Sequence, residues 1–555
     1  MADKVEENLI KKFLNYLKTK QYKKLQLEVN LLGKVEDQHP TIIFYYAVSI
    51  SLFEGATKQE LIYALDLFEK VYLVDESNHL PLHNMISLSF KTKQFFKVKK
   101  YVEEELKKNN NDLKLLEAIA LINHYLGNKN ESIKNFKILY KKIPSMMTGR
   151  ITFITSLLYA SGITQKEYIY ECSKYANIIE TKLDVEKKAY KFDPKVNKKI
   201  KIAFISGDFK KHSITGFLIH LLSNLNKNIF EIVLISNLKE KLQDSISEKL
   251  KALADEWHDI HNYNDNDLTK FLRSLNIDTL IDLSGYTVKN RHQVLAKRCA
   301  KIQIVWLGYN NSLCLNNLDY LIADRNLIYP NEENDYKEKI IYLPRIWNAL
   351  SVPDNLVPIT DEKIYNSKFT YGSFNNFKKI SNDTIEVWSK ILSGNDSQII
   401  LKNSFLDGND IKFNLLNKFL KLGVKEEQII FLDYEKREED HYQLYNKINL
   451  SLDTFPYPGV TTSFESIIMG VPVLTMHGFN FNSRCGASIN KNIGMKDLIA
   501  NNYEEYISIA KNLKQDHELH LKNGNSLRER ALKSALFDTK SFAKDFEKII
   551  RDIQN

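Results

Sequence analysis

Short apolar segments of strand length alternate with helical segments through the second part of this 555-residue chain. One set begins at Lys201 with KIAFIS and continues through FEIVLIS and DTLIDLS, and a second set restarts near residue 365 with FTYGSFN. Alternation at this spacing is typical of a parallel sheet that carries helices on both faces. The sequence therefore predicts two Rossmann-like halves in tandem, at 201–350 and 365–535, and a C-terminal helix at 536–555 that returns to the first half. Ligands of such sheets bind at the carboxyl ends of the strands, so we expect a cleft between facing halves.

The first 180 residues have few glycines and prolines, and their apolar residues recur every three or four positions, which predicts an all-helical region. A period of 34 residues aligns Ala64 with Val98 and Ser132, and Phe68 with Val102 and Phe136. This period, with Gly127 and Pro144 in the last copy, resembles about three degenerate tetratricopeptide repeats; an irregular helical bundle is the alternative. Such arrays present a concave surface to peptides or partner proteins. The charged stretch at 181–200 lacks an apolar period and is predicted to be a linker.

The composition narrows the functional class. The net charge of +9 comes from 78 Lys and Arg against 69 Asp and Glu, interleaved along the chain, and such mixing does not predict nucleic-acid binding. The four cysteines are far apart and form no CxxC pair, which argues against a disulfide framework or a zinc ribbon. The N-terminus has no signal-peptide apolar core, and the apolar stretch at 41–53 is too short to span a bilayer. We expect a cytoplasmic protein with no membrane span and no nucleic-acid partner.

The segment at 452–476, LDTFPYPGVTTSFESIIMGVPVLTM, carries the clearest chemistry. A strand is predicted to end at Asp453, a turn with proline and glycine follows, and Thr461 and Thr462 stand where the next helix begins. Backbone N–H groups and two hydroxyls at a helix N-terminus form an anion site that suits a diphosphate. Glu465 follows in the first turns of the helix, where it could accept hydrogen bonds from ribose hydroxyls. The alternative is an ordinary capped helix in a Rossmann-like half.

Further segments accompany this motif in a fixed order: GDFKKHSITGFL at 207–218, SGYTVKNR and IQIVWLGY within 284–309, YGSFNNFKKI at 371–380 and FNSRCGASI at 481–489. Behind tetratricopeptide-like repeats, this set resembles the protein O-GlcNAc transferase and SPINDLY family of glycosyltransferases, especially its bacterial-like branch. The resemblance covers about 200–530 well and the N-terminal third loosely. It implies a GT-B fold, in which two Rossmann-like domains face a cleft behind the helical array.

The resemblance implies two catalytic residues. His212 matches the histidine beside the acceptor hydroxyl, where a neutral imidazole suits proton acceptance; the alternative is a surface turn histidine. Lys379 matches the lysine that contacts the donor diphosphate, where it would offset charge that develops on the leaving nucleotide. The adjacent Lys378 is interpreted as a solvated charge.

The resemblance also implies the donor-binding residues. Asn376 matches a polar residue near the diphosphate and the nucleoside, and His441 matches a histidine that stacks on the base. Thr461, Thr462 and Glu465 match the phosphate and ribose contacts. No metal ligand and no cofactor is implied, because the nucleotide sugar, with UDP-GlcNAc as the best guess, is a co-substrate.

The chain departs from the animal O-GlcNAc transferases at Leu444, where they have an arginine, and at Val460, where they have a histidine. Bacterial and SPINDLY-like members also lack these two residues, so activity is not excluded, but the donor identity stays open between UDP-GlcNAc and GDP-fucose or another hexose nucleotide. After WLGY the family usually has a turn of the Pro–Gly type. Here Asn310, Asn311 and Ser312 replace it, which could reshape the acceptor side.

Several other signals are interpreted as structural. The DxD sequence at 265–267 stands before a predicted helix, where capping explains it better than metal binding. His258 and His261 show no carboxylate partners in the sequence, which favours a structural role over a metal site. Arg484 follows the donor-site strand and suits either a phosphate contact or a structural ion pair.

The sequence therefore predicts an inverting, metal-independent glycosyltransferase that moves a sugar to Ser or Thr hydroxyls of a protein or peptide bound through the helical array. A protein O-fucosyltransferase or other hexosyltransferase of the same family is the first alternative. A repeat scaffold with an inactive catalytic region and a transferase for small molecules or glycans are the others.

Overall fold

The protein is described by a computed structural model that covers residues 2–183, 192, 199–287, 289–353, 356–360, 368–402, 409–435, 437–515 and 524–554. The chain divides into two compact units. One comprises Met1–Lys142 with Phe405–Lys418, and the other comprises Ile143–Ser404 with Phe419–Asn555. The sequence pattern predicts instead that the helical region extends to residue 180 and that the segment around 405–418 belongs to the second Rossmann-like half.

The first unit is built from successive helices that pack against one another. They are α1 (Ala2–Lys18), α2 (Tyr22–Leu31), α3 (Pro40–Leu52), α4 (Lys58–Val74), α5 (Leu80–Thr92), α6 (Phe95–Lys108), α7 (Leu113–Tyr125) and α8 (Lys129–Lys142). The positions that the 34-residue period aligned fall on α4, α6 and α8, and all six are fully buried. The predicted all-helical character of this region is confirmed.

The segment that returns to the first unit is held by side-chain contacts with the start of α6 and the end of α7. It includes the start of a helix at Asn409–Lys421, which is α16 in chain order. The carboxylate of Asp410 accepts a 2.8 Å hydrogen bond from the backbone N–H of Phe96, and the Asn414 amide donates to the carbonyl of Leu126 at 2.7 Å. The alternation of strands and helices gave no signal for these contacts, because they depend on single polar side chains.

The second unit starts with two helices, α9 (Arg150–Tyr159) and α10 (Gln165–Leu183), and continues into a seven-stranded sheet. Its strands are β1 (Ile200–Ser206), β2 (Phe230–Ser236), β3 (Glu256–Asp259), β4 (Ile277–Asp282), β5 (Ala300–Val305), β6 (Tyr320–Asp324) and β7 (Lys339–Leu343). The intervening helices are α11 (Ser213–Asn224), α12 (Ser245–Leu253), α13 (Asp265–Ser274) and α14 (His292–Leu295). All paired strands are parallel, in the order β3-β2-β1-β4-β5-β6-β7.

A second parallel sheet follows, with strands β8 (Thr370–Ser373), β9 (Gln398–Lys402), β10 (Ile429–Leu432), β11 (Leu450–Leu452), β12 (Val473–Met476) and β13 (Ile499–Ala500). Its helices are α15 (Asn382–Leu392), α16, α17 (Glu438–Gln443), α18 (Thr461–Ile468), α19 (Cys485–Asn492), α20 (Tyr503–Gln515) and α21 (Gly524–Leu532). The strand order is β10-β9-β8-β11-β12-β13. The predicted pair of tandem Rossmann-like sheets is confirmed.

The C-terminal helix α22 (Thr539–Asp552) packs on the first sheet although it follows the second in the chain. Phe546 contacts the ring of Trp306 with ring centroids 5.1 Å apart. Arg345, which follows β7, binds Asp538 and Asp545 at 3.0 and 2.9 Å. This helix therefore connects the two halves, because it continues the chain of the second half and packs on the first.

The strand orders place the functional site. In both sheets the order reverses beside the first strand, between β1 and β4 and between β8 and β11. Loops that leave adjacent strands in opposite directions at such a switch point open a crevice at the carboxyl ends of the strands. The residues that line the cavity described next follow β1, β5 and β7 in the first sheet and β8 and β11 in the second sheet.

Candidate functional site

A cavity of about 310 Å³ lies between the carboxyl ends of the two sheets, within the second compact unit. Its volume falls in the range typical of small-molecule sites. Its polar lining residues are His212, Ser213, Asn310, Asn348, Asn375, Asn376, Lys379, Tyr457, Thr461 and Thr462. Five of the seven site residues that the sequence predicted are in this set. The other two, His441 on α17 and Glu465 on α18, belong to the second half and do not line the cavity.

The loop between β11 and α18 is organised by Asp453, a residue that is only 2% exposed. One carboxylate oxygen accepts hydrogen bonds from the Asn375 amide at 3.1 Å and from the backbone N–H of Gly459 at 2.6 Å. The other accepts from the Thr475 hydroxyl at 2.9 Å. Burial raises the pKa of Asp453 to about 6, although these donors act in the opposite direction. The hydrogen bonds to the Asp453 carboxylate therefore hold the loop in one conformation.

Helix α18 begins at Thr461, and the preceding residue, Val460, provides no side-chain cap. The Thr462 hydroxyl donates to the Asn375 amide oxygen at 2.9 Å, which fixes the first turn against the loop after β8. A Cβ on Gly459 would lie 2.4 Å from the Thr462 hydroxyl oxygen, so only glycine lets the chain approach this closely. The first N–H groups of an α-helix have no intrahelical partner and favour anions. This end of the helix faces the cavity and is suited to a phosphate group.

Lys379 lies at the end of a short 3₁₀ turn after β8, and its ammonium group is held against the same loop. It donates to the carbonyl of Pro458 at 2.8 Å and lies 4.5 Å from the centre of the Tyr457 ring. Burial lowers the pKa of Lys379 to about 8, with Asp453 and Cys485 acting against the change. The 3₁₀ turn itself starts at Asn376, whose side-chain oxygen accepts the backbone N–H of Lys378 at 3.0 Å. The lysine is thus a partly desolvated cation beside the helix N-terminus.

His441 and Glu465 are hydrogen-bonded to each other, with 3.0 Å between His441 Nε2 and Glu465 Oε2. The Tyr445 hydroxyl donates to the same carboxylate oxygen at 3.1 Å, and Lys402 at the end of β9 donates to His441 Nδ1. Burial lowers the pKa of Lys402, which Glu465 partly counteracts. Phe374 closes the group, with its ring centre 4.7 Å from that of Tyr445. The sequence identified the histidine and the glutamate but missed the lysine and both aromatic rings.

His212 is the N-cap residue of α11 on the opposite wall. Its Nδ1 accepts the backbone N–H of Ile214 at 3.4 Å, and the backbone N–H of His212 donates to the Thr215 hydroxyl at 3.4 Å. Desolvation lowers the pKa of His212; Asp208 opposes this effect and Lys210 adds to it. The ring is therefore neutral near pH 7, and with Nδ1 accepting, the proton of the neutral ring is on Nε2.

Helices α9 and α10 support the cavity from outside the two sheets. Tyr159 stacks on Tyr457 with ring centres 4.6 Å apart. The Gln165 amide donates to the Asn311 side chain at 2.9 Å, and its oxygen accepts from the Asn480 amide at 3.0 Å. The loops that line the cavity are therefore connected to α9 and α10 as well as to their own strands.

The remaining sequence signals prove to be structural. Arg484 forms a 2.8 Å ion pair with Glu332, so it is not a phosphate contact. His258 has a carboxylate partner after all, Glu256 at 2.8 Å. In the DxD segment Asp265 binds Arg291 at 2.8 Å. These partners are distant in the chain or lie on the same face of a strand, and a linear reading does not reveal them.

Across the described residues, no group of three or more His, Cys, Asp or Glu side chains is arranged to hold a metal ion. In the same part of the chain, no helix combines the length and the hydropathy needed to cross a membrane.

Comparison with known proteins agrees with this geometry. Residues 151–364 and 351–546 match the model of glycosyl transferase family 41. A probable UDP-N-acetylglucosamine–peptide N-acetylglucosaminyltransferase SPINDLY of Solanum lycopersicum is 30% identical over 356 residues, which are 63% of this chain and 38% of that protein. The corresponding protein of Hordeum vulgare is 31% identical over 366 residues, which are 65% of this chain and 39% of that protein. The matched region thus spans about two fifths of these relatives.

A solved structure of a mutant O-GlcNAc transferase of Thermobaculum terrenum superposes with a TM-score of 0.78 at 23% identity, and covers 93% of this chain and 98% of that one. At this identity the match concerns the fold, and it confirms the predicted helical region followed by a GT-B pair of Rossmann-like domains. The family match extends over both sheets and includes the loops that line the cavity. The chain therefore belongs to glycosyl transferase family 41.

Proposed function

We propose that this protein transfers a sugar from a nucleotide sugar to Ser or Thr hydroxyls of proteins, with UDP-GlcNAc as the preferred donor. The observation that carries the proposal is the uncapped N-terminus of α18 beside the buried ammonium group of Lys379 in one cavity. Both groups favour a diphosphate. The SPINDLY relatives are named as probable UDP-N-acetylglucosamine–peptide N-acetylglucosaminyltransferases, which supports the same donor and acceptor class.

In the proposed reaction the acceptor oxygen attacks the anomeric carbon of the sugar while the bond from that carbon to the diphosphate oxygen breaks. The electron pair of that bond remains on the diphosphate, and the proton of the acceptor hydroxyl passes to a diphosphate oxygen, directly or through water. Direct displacement inverts the configuration of the anomeric carbon. Lys379 and the helix N-terminus would stabilise the negative charge that grows on the leaving group. We propose that they do so without a metal ion.

The nucleoside is proposed to bind next to the diphosphate, at the group formed by Phe374, Lys402, His441, Tyr445 and Glu465. The Phe374 ring and the imidazole offer faces for the base, and the buried Tyr445 ring packs against Phe374. The carboxylate can accept hydrogen bonds from ribose hydroxyls, and the lysine can donate to a carbonyl on the edge of the base. Contacts among these side chains fix their positions before a ligand binds.

His212 is proposed to position the acceptor hydroxyl from the opposite wall. In the tautomer that its N-cap contact favours, Nε2–H donates a hydrogen bond into the cavity. A role as general base needs the other tautomer, in which Nδ1 no longer accepts the Ile214 N–H. A donor that holds the acceptor oxygen is compatible with the observed cap.

The acceptor is proposed to be a protein or peptide that binds the helical region of residues 1–142. Such an array suits extended partners. We also propose that the protein acts in the cytoplasm, because its four cysteines are buried free thiols, as a reducing compartment allows.

The proposal is tested by calorimetric titration of the full chain with UDP, GDP, UDP-GlcNAc, UDP-glucose and GDP-fucose, with and without EDTA. We expect the uridine nucleotides to bind, unaffected by EDTA, and to bind more weakly to Lys379→Ala. Binding of guanine nucleotides instead would leave the proposed sugar transfer in place and would replace UDP-GlcNAc by GDP-fucose as the proposed donor. If no nucleotide binds the folded protein, a scaffold function replaces the enzymatic one.

A further inference from the structure

Two asparagine side chains on the first-sheet side of the cavity have amide oxygens with no hydrogen-bond partner. Asn310 and Asn348 both line the cavity, and their side chains are buried, with 6% and 1% exposed. Among the described residues neither Oδ1 has a donor within reach. A buried acceptor without a donor costs free energy, so such atoms are uncommon in folded proteins unless a ligand or water satisfies them.

The Asn310 side chain and the backbone on both sides of Asn348 have defined partners. Asn310 donates through its Nδ2 to the sulfur of Cys485 at 3.4 Å. Trp347, just before Asn348, donates its N–H to Asp324 at 3.1 Å and accepts at its carbonyl from the Trp306 indole at 2.9 Å. On the other side, the Leu350 N–H donates to the carbonyl of Leu536 at 2.9 Å.

The loop before Asn310 is also held in a strained, tightly packed arrangement. Leu307 has a left-handed backbone, with φ of 72°, which is costly for a residue with a Cβ. A Cβ on Gly308 would lie 1.7 Å from the carbonyl oxygen of Leu283. Strain of this kind persists where the surrounding structure imposes it, and it often accompanies binding sites.

The chemistry of the missing partner follows from the two acceptors. An ionised phosphate has no proton to donate, and an apolar group cannot satisfy an amide oxygen. A ligand that fits must bring hydroxyl or amide N–H donors to this wall. Lys379 and the start of α18 occupy the opposite wall of the same cavity, so a diphosphate bound there directs its sugar toward Asn310 and Asn348.

We propose that the amide oxygens of Asn310 and Asn348 accept hydrogen bonds from the hydroxyl or N-acetyl N–H groups of the transferred sugar and so select it. This inference rests on the proposed function, because it takes the diphosphate site as given. A sugar hydroxyl is the favoured ligand over a peptide N–H, because Asn310 and Asn348 line the same cavity as Lys379 and Thr462, the proposed diphosphate contacts. The two residues are therefore sugar-specificity residues of the donor site.

The test uses the full-length wild type, Asn310→Leu and Asn348→Leu. For each protein it compares the dissociation constant of UDP-GlcNAc with that of UDP, and the dissociation constant of GDP-fucose with that of GDP. Each substitution should change the affinity for the nucleoside diphosphate by less than about twofold. It should lower the affinity for the nucleotide sugar about five- to tenfold, because that is the contribution of one hydrogen bond to a neutral group. Leucine has a similar size and no polar atoms, so the melting temperature should stay the same or rise. Asn348→Ala gives a second variant with no added bulk.

Asn482→Leu is the matched control. Asn482 is 1% exposed and both of its side-chain polar atoms lack partners, yet it does not line the cavity. Its substitution should leave both affinities unchanged. Equal weakening of the nucleoside diphosphate and the nucleotide sugar, or a change only in the KM for a peptide acceptor, would overturn the sugar assignment while the proposed function stands. If the wild type binds no nucleoside diphosphate, both the proposed function and this inference fail.

Discussion

Replacing Lys379 by methionine separates the function of this residue from its contribution to stability. The ammonium group is partly desolvated, and its pKa falls from an ordinary value of 10.5 to about 8. That difference corresponds to about 3 kcal/mol of cost for the charged form in the folded protein, because one pKa unit is worth about 1.4 kcal/mol. Methionine keeps the length of the side chain and removes the charge. We therefore expect Lys379→Met to raise the free energy of unfolding at pH 7 by about 1–3 kcal/mol.

The same substitution should damage ligand binding. A hydrogen bond from an ammonium group to a phosphate oxygen is worth about 1.5–3 kcal/mol, so nucleoside diphosphate should bind about ten- to a hundredfold more weakly. Turnover should fall further, by about 10²–10³, because charge on the leaving group grows in the transition state. Lys379→Met is thus expected to be more stable and less active than the wild type.

The dependence on pH provides a check on the cause. Since the pKa of Lys379 is lowered on folding, the unfolded chain holds this proton more tightly than the folded protein between pH 8 and 10.5. The stability of the wild type therefore gains a contribution as pH rises through this window. Lys379→Met lacks that contribution, so its stability advantage should be full below pH 8 and shrink toward pH 10.5.

The assay combines denaturant unfolding from pH 7 to 10.5 with calorimetric titration of UDP and UDP-GlcNAc. Lys378→Met is the control, because Lys378 lies in the same turn and does not line the cavity; it should change neither quantity. The reasoning is refuted if Lys379→Met binds nucleotide like the wild type, or if it loses binding only together with stability.

Three further predictions concern the loop, the donor site and the opposite wall. Gly459→Ala should weaken nucleotide binding at least tenfold and destabilise the protein by about 1–3 kcal/mol, because its Cβ would press on Thr462; unchanged titration and melting curves would contradict this. The affinity for UDP-GlcNAc should fall as pH rises above 8, with proton uptake on binding, because the charged form of Lys379 holds the diphosphate; equal calorimetric heats in buffers of different ionisation enthalpy at pH 8.5 would count against it. His212→Asn, which keeps a capping side chain, should retain more turnover than His212→Ala at unchanged donor affinity; equal, complete loss in both variants would favour a general base.

The order of strands and helices could be predicted because it depends on local apolar patterning, and the site motif at 452–476 because a strand, a turn and a helix start lie next to one another in sequence. The helix start at Thr461 was therefore accessible from the sequence pattern, whereas Lys379 was implied only by the family resemblance. Contacts between distant segments were not. Lys402 meets His441 only because β9 and α17 end at the same edge of the sheet, and no pattern around either residue indicates this.

The unsatisfied oxygens of Asn310 and Asn348 were equally beyond a linear reading. The sequence showed only that asparagines replace a usual turn after WLGY. That an amide is buried and lacks a partner depends on everything packed around it, including Trp347 and Cys485. The return of residues 409–418 to the helical unit also depends on long-range contacts, including those of Asp410 with Phe96 and of Asn414 with Leu126.

Sugar transfer itself is tested most directly by mass spectrometry of a Ser- and Thr-containing peptide library after incubation with the full-length protein and the nucleotide sugar that binds best in calorimetry. The account predicts peptides that carry one added sugar in the inverted anomeric configuration, attached at Ser or Thr, and no product with Lys379→Met. Donor binding without any modified peptide, together with transfer to a small glycan acceptor, would contradict the account of a protein-modifying enzyme.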